Sequence, residues 1–251
     1  MSHIIYKGMS EEIPIKSESV DMVFIDPPFN QGLKYDTVND KMEKKDYLAW
    51  ADKFIGESFR ILKPTGSFYL MNRTSWIGYM QVIADKYGIF KNMIVWRHSQ
   101  NPTKNKYLHE WQGIIFYTKT NDYYFNEEAQ FQPHRHYWGW KDEQKDDRGM
   151  RITDIWSDIK KVSGGVMASK EAILKKNSLE KEHIAQMPVA LVERAILHST
   201  RPGDVVTDVF LGSGTTARAA LETERKFIGG DKGYQYVSVP RCEVYQQRLF
   251  I

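Results

Sequence analysis

Val205-Val206-Thr207-Asp208-Val209-Phe210-Leu211-Gly212-Ser213-Gly214-Thr215-Thr216-Ala217 reads as a short apolar strand, a glycine turn and the opening of a helix. Glycines at 212 and 214 let the chain turn tightly and bring backbone N–H groups against a ligand at a helix N-terminus. Phe227-Ile228-Gly229-Gly230-Asp231 follows as a second strand. It ends in a carboxylate about twenty residues beyond the turn, where such folds accept hydrogen bonds from two ribose hydroxyls. The pair points to an adenosine-containing cofactor held by Asp208, Phe210, Gly212, Ser213, Gly214, Thr215 and Asp231. The competing reading is a turn used only for packing, with Asp231 on the surface. A dinucleotide would require a second nucleotide-binding half, and only 20 residues follow Asp231. The missing strands must therefore come from the N-terminal part of the chain.

Those strands are legible. Residues 20–25, Val-Asp-Met-Val-Phe-Ile, are apolar and run into Asp26-Pro27-Pro28-Phe29, where two prolines end the ladder. Residues 45–62 carry apolar side chains at three-and-four spacing and stop at Lys63-Pro64-Thr65-Gly66. A strand is expected over 67–71, a helix over 75–87 and a strand over 93–96. Residues 113–118 and 123–125 are expected to pair around Thr120-Asn121-Asp122. Residues 127–161 show neither period. Regularity returns with a helix opening at Pro188 and stopping at Arg201-Pro202-Gly203. Strands alternating with helices predict an α/β, doubly wound, mostly parallel sheet with an inserted region, whose ligands sit at the carboxyl ends of the strands.

At the first such end, Asp26 and the Pro27 carbonyl can accept the N–H bonds of an exocyclic amine on a planar base. Phe29 can stack on its ring, and the prolines hold both acceptors in place. Asp-Pro alone would suit an ordinary turn. Asp-Pro-Pro-aromatic directly after an apolar strand, in company with the glycine loop, makes Asp26, Pro27, Pro28 and Phe29 the candidate catalytic residues.

Composition narrows the class. The 251 residues are 41% hydrophobic and 27% charged, the balance of a soluble globular body with one sizeable core. The net charge is only +3, but residues 91–181 hold 16 basic and 12 acidic side chains, leaving 19 and 20 elsewhere. The positive excess is thus regional, as is the clustering of His98, His109, His134 and His136, and it suits either a phosphate partner or a solvated insertion. The lone Cys242 can form neither an intramolecular disulfide nor a Cys-rich zinc site, so no metal is expected. No apolar run reaches signal-peptide or membrane-span length, and the chain is read as cytoplasmic.

With both loops quoted, the chain resembles the DNA amino-methyltransferases that use S-adenosyl-L-methionine, in the permuted order called the beta class. Residues 19–29 match the family's catalytic motif, Arg60-Ile61-Leu62-Lys63-Pro64-Thr65-Gly66-Ser67 the helix-to-strand segment after it, residues 208–216 its cofactor motif, and residues 227–231 the strand that follows. The resemblance implies a Rossmann-like seven-stranded sheet, a cofactor wrapped by residues 210–215, ribose held by Asp231, and a target base gripped by residues 26–29. It divides the chain into a catalytic half over 1–126, a target-recognition region over 127–182 and a cofactor half over 183–251. Three positions depart from the family. Gly8-Met9 stands where Gly-Asp is common, Gln186-Met187-Pro188 where Gln-Lys-Pro is usual, and Pro240 interrupts the terminal helix.

The implied partner is duplex DNA with a flipped base, and a homodimer is among the allowed states. Asp at the first position of the tetrapeptide resembles the N6-adenine members more than the N4-cytosine ones. No Cys lies near either loop, as direct transfer to an amine requires. Lys104 and Lys106 are the candidate phosphate contacts, and His134, Arg135 and His136, beside Tyr137 and Trp138, the candidate base-edge donors. Solvated lysines and packed tryptophans, Trp138 and Trp140, are the competing reading there, and Ser163-Gly164-Gly165 reads as a joint. The rival functions are an RNA or protein-amide methyltransferase, an AdoMet-binding subunit without activity, and a nicotinamide dehydrogenase.

Overall fold

The computed structural model describes residues 3–8, 10–32, 40–101, 104–105, 107–132, 148–163, 169–176 and 185–233. The chain enters as β1 (His3–Lys7) and crosses the molecule to β2 (Val20–Ile25). Met22 and Phe24 point into one core and Val23 and Ile25 into another, so both faces of β2 are covered. That is why its sequence is almost continuously apolar.

From β2 the chain rises through α1 (Lys44–Ile61) to β3 (Leu62–Asn72). Tyr47, Ala51, Phe54, Ile55 and Ser58 form the buried stripe of α1. Pro64 disfavours helical backbone at Lys63, and the chain is already extended at Leu62, φ −70 and ψ 133. The short α2 (Ile77–Ala84) leads to β4 (Ile89–Asn101), and β5 (His109–Thr118) returns antiparallel between β3 and β4.

Between β5 and the next helix, β6 (Phe131–Gln132) and β7 (Met150–Arg151) pair with each other, while β8 (Ile155–Trp156) adds to the edge of β4. Arg194, from the helix that follows, makes a two-pronged ion pair with Asp158 at 3.0 and 2.5 Å, tying this region to the body. That helix is α3 (Val189–Ser199), and β9 (Val205–Asp208), α4 (Thr215–Glu222) and β10 (Lys226–Asp231) complete the described chain.

The main sheet runs β1-β10-β9-β2-β3-β5-β4-β8. Helices α3 and α4 cover the face holding Met22, Phe24, Tyr69 and Phe116, while α1 and α2 cover the face holding Val23, Ile25, Phe68 and Tyr117. The doubly wound expectation holds. Burying each Leu, Ile or Phe of these layers contributes about 1.5–3 kcal/mol.

Three details differ from the sequence reading. The sheet has an eighth strand beyond the expected seven, because β8 folds back as a two-residue addition beside Val95 and Trp96. β1 is a strand although its short stretch gave no signal; it is defined by pairing with β10, from His3↔Phe227 to Lys7↔Asp231. Residues 123–125 do not pair with 113–118, because β3 and β4 already occupy both edges of β5. Phe125 instead crosses the sheet face, stacking on Phe116 and His198 with centroids at 5.8 and 5.4 Å.

Close approach explains the paired glycines of β10. A Cβ at Gly229 would strike the Asp208 carbonyl, and one at Gly230 the Tyr6 carbonyl, so the two neighbouring strands would each be pushed away. Gly229→Ala is expected to cost about 1–3 kcal/mol, the usual penalty of overpacking. The measurement is the urea unfolding midpoint at unchanged slope; an unchanged midpoint would mean that β9 and β10 can separate freely.

Candidate functional site

Parallel pairing of β2 with β9, Met22↔Val206 and Val23↔Thr207, places the chain segments after Ile25 and Asp208 at the same edge of the sheet. From there the two segments diverge, one to α1 on the first face and one to α4 on the second. The gap between them is the topological switch point at which open α/β sheets bind ligands.

The loop after β2 is held from behind. The Tyr47 hydroxyl donates to the Pro28 carbonyl at 2.7 Å, and Asn72 Nδ2 donates to the Tyr47 oxygen at 3.1 Å. Asn30, at φ 53, accepts from Met42 N–H at 2.6 Å and donates to the Met42 carbonyl at 2.9 Å. Buried Asp40 accepts from the N–H groups of Asn30 and Gln31 at 2.7 and 3.1 Å. These bonds hold Pro28, Asn30 and Gln31 in place. Asp26 Oδ1 is buried and has no hydrogen-bond partner among the described residues.

The loop after β9 turns at Gly212 and Gly214, both left-handed at φ 49 and 79. Gly212 N–H donates to Asp231 Oδ2 at 2.9 Å, and Gly233 N–H to Asp231 Oδ1 at 2.8 Å. Asp231 therefore braces the glycine turn across two strands. The Thr215 hydroxyl donates to the Met187 carbonyl at 3.2 Å and pairs with the Ser213 hydroxyl at 3.1 Å. Phe210 presents its ring edge-on to Trp50 and Phe54 at 5.6 and 5.0 Å, so it bridges this loop to α1.

Carboxylates dominate the crevice. Burial pushes Asp208 up to about 7, opposed by the bonds from Thr216 (2.6 Å) and the Phe210 N–H (2.8 Å) and reinforced by Asp231. Burial and then the nearby Asp208 raise Asp26 well above the usual carboxylate range. Such shifts accompany sites that receive a cation or a hydrogen-bond donor.

Asp26 and Phe29 line a cavity of about 190 Å³ with Met71, Trp96, Gln112 and Met187. Arg73 and Lys161 stand at the same cavity. These residues arrive from β3, β4, β5 and the segments before α2 and α3, and no spacing in the sequence links them. Only Met187, one residue ahead of Pro188, had a readable position, and where the resemblance expects a lysine it supplies a buried apolar wall. A larger cavity of about 530 Å³, lined among others by Tyr69, Phe125, Arg194 and His198, shares no lining residue with it. Lys104 is exposed on the β4–β5 connection. Lys106, His134, Arg135 and His136 lie outside the described residues, as do Met9, Tyr137, Trp138, Trp140, Gly164, Gly165 and Pro240.

The DNA methylase family of N6 and N4 methyltransferases matches residues 20–240. The chain is 32% identical over 258 residues to the type II methyltransferase M.BamHI of Bacillus amyloliquefaciens, covering 98% of this chain and 56% of that enzyme. It therefore spans little more than half the length of that relative. It is 30% identical to the DNA adenine methyltransferase YhdJ of Escherichia coli K12, over 92% of this chain and 78% of that protein. Among solved structures, the PvuII DNA methyltransferase, described as cytosine-N4-specific, superposes with a TM-score of 0.73 at 19% identity, over 100% of this chain and 93% of that one.

The raised carboxyls make stability depend on pH. Native Asp208 keeps its proton to about pH 7, whereas an unfolded aspartate releases it near 3.8. Between those values the native state binds more protons, so stability falls as pH climbs from about 4 to about 7 and levels off above. Asp208→Asn lacks this descent. Its urea midpoint, compared with wild type, should shift in its own favour between pH 5 and pH 8; an offset independent of pH would mean that Asp208 titrates normally.

Proposed function

The chain belongs to the N6/N4 DNA methylase family, and from that premise we propose that it transfers a methyl group from S-adenosyl-L-methionine to the exocyclic amine of a base flipped out of duplex DNA, N6 of adenine. The observation that carries this reading is the buried Asp26 Oδ1, without a hydrogen-bond partner among the described residues, at a cavity walled by Phe29 and Trp96. A buried acceptor left unpaired costs about 1–3 kcal/mol, which a ligand donating an N–H would relieve.

The residues present fit the cofactor. Asp231 can accept from ribose hydroxyls while bracing Gly212, and the left-handed glycines keep side chains away from that approach. Buried Asp208 favours a ligand that carries positive charge. S-adenosyl-L-methionine supplies an electrophilic methyl group on a cationic sulfur.

An amine conjugated with its ring is a weak nucleophile. Asp26 and the Pro27 carbonyl, accepting its two N–H bonds, localise the lone pair on nitrogen. When that nitrogen gains its fourth bond it must lose a proton, and Asp26, held above the usual carboxylate range by burial, is the adjacent acceptor. Phe29 stacks on the base, a contact worth ~1–3 kcal/mol against the few kcal/mol that flipping costs. Tyr47 and Asn72 keep the acceptors in place through the Pro28 carbonyl.

The adenine reading draws on the aspartate that opens the tetrapeptide and on the named specificity of the E. coli relative. Cytosine N4 presents the same amine chemistry to the same acceptors, and the name of the PvuII enzyme keeps it as the second reading. Expression in methylation-deficient cells, followed by mass spectrometry of nucleosides and modified-base sequencing, should give N6-methyladenine at one sequence; N4-methylcytosine alone would replace the adenine reading. Competition among duplex DNA, single-stranded RNA and protein for labelled methyl groups should favour the duplex.

Asp26→Ala should lower methyl transfer by about 10²–10³-fold, the usual loss for one aligned transition-state contact. Titration calorimetry should find its cofactor affinity within a few-fold of wild type. Wild-type turnover by this variant would refute the assignment.

A further inference from the structure

Arg73 and Lys161 stand beside each other at the cavity that holds Asp26, and neither makes an ion pair with a carboxylate among the described residues. Both are positioned by their backbones. The Arg73 carbonyl accepts the N–H groups of Trp76 and Ile77 at 2.9 and 2.8 Å as α2 begins, and its guanidinium donates to Gln31 Oε1. Lys161 sits between Ile159 and Val162, 6% and 2% exposed, and the Ile159 carbonyl accepts the Trp96 indole N–H at 2.9 Å. Partial burial, and then the Arg73 guanidinium, hold the Lys161 ammonium below the usual lysine range. Two like charges at one cavity repel each other until an anion joins them.

The rest of the cavity says where that anion must be. Its walls are apolar at Phe29, Met71, Trp96 and Met187, and Asp26 is the one carboxylate among its lining residues. An anion is repelled by Asp26, whose Oδ1 is buried, and attracted by Arg73 and Lys161, which are more open to solvent. A ligand matching this division has a neutral planar group with an N–H donor inside and an oxyanion at the rim, as a nucleotide does.

We propose that Arg73 and Lys161 clamp a backbone phosphate next to the flipped nucleotide and so hold the target base at Asp26. This rests on the methyl-transfer reading above. The clamp adds two residues to the candidate DNA contacts, beside the catalytic cavity.

The test measures the affinity of the cofactor-bound protein for a duplex carrying the site identified by modified-base sequencing, as a function of salt. Lys161→Gln and Arg73→Gln should each weaken binding about tenfold, the size of one charge-assisted contact. Losing the phosphate contact should reduce the slope of log affinity against log salt by about 0.9. A methylphosphonate at the clamped phosphate, found by scanning the positions flanking the target, should weaken wild type by more than either substitution alone and the Arg73→Gln, Lys161→Gln double variant no further. Losses that multiply at every scanned position, or an unchanged salt slope, would overturn the clamp. So would weaker binding of S-adenosyl-L-methionine by Lys161→Gln without DNA, which would assign the pair to the cofactor's carboxylate. Failure of the underlying reading is seen separately, as wild-type protein that methylates no DNA.

Discussion

Everything in the site depends on the parallel pairing of β2 with β9, two strands that lie at opposite ends of the chain. Neither loop is a site alone. Asp26 follows one strand and Asp208 the other, and the register Val23↔Thr207 is what makes them electrostatic neighbours. A slip of one residue would turn the side chains of β9 to the opposite face and separate the pair. The covered faces oppose such a slip, since Val206 and Phe24 belong to one core and Val23 and Ile25 to the other.

The same pairing concentrates charge that the fold would otherwise disperse. Asp208 adds to the burial that raises Asp26, and Asp231 in turn adds to the burial that raises Asp208. Gathering buried carboxyl groups is a cost, and proteins tolerate local costs of this kind where a ligand relieves them. Asp231 shows how one residue serves both ends. It braces the glycine turn through the Gly212 N–H while its carboxylate stays at the carboxyl edge of the sheet. At the same cavity as Asp26, Arg73 and Lys161 carry the opposite sign.

Local chemistry made the strand at 20–25 and the turn at 212–214 legible, because prolines and glycines limit the backbone whatever surrounds them. The apolar spacing of Tyr47, Ala51, Phe54 and Ile55 likewise placed α1 within one residue of its observed start. Elements whose existence depends on a partner were not legible. β1 is a strand because β10 offers it an edge, and residues 123–125 are not one because β5 has no edge left. Tyr47 read as a core residue of a helix, and its hydroxyl on the Pro28 carbonyl emerges only when α1 is laid against the loop.

By itself the sequence determined the two loops, their order and the alternation that makes a doubly wound sheet, since each is written in residues close together in the chain. Tertiary structure alone decided what surrounds those loops. The cavity wall joins Trp96, Gln112, Lys161 and Met187 across a sheet whose strand order differs from chain order. The physical reason is range. Backbone restriction and hydrophobic period act over a few residues, whereas burial, charge and the closing of a cavity depend on groups that meet only when the strands have found their neighbours.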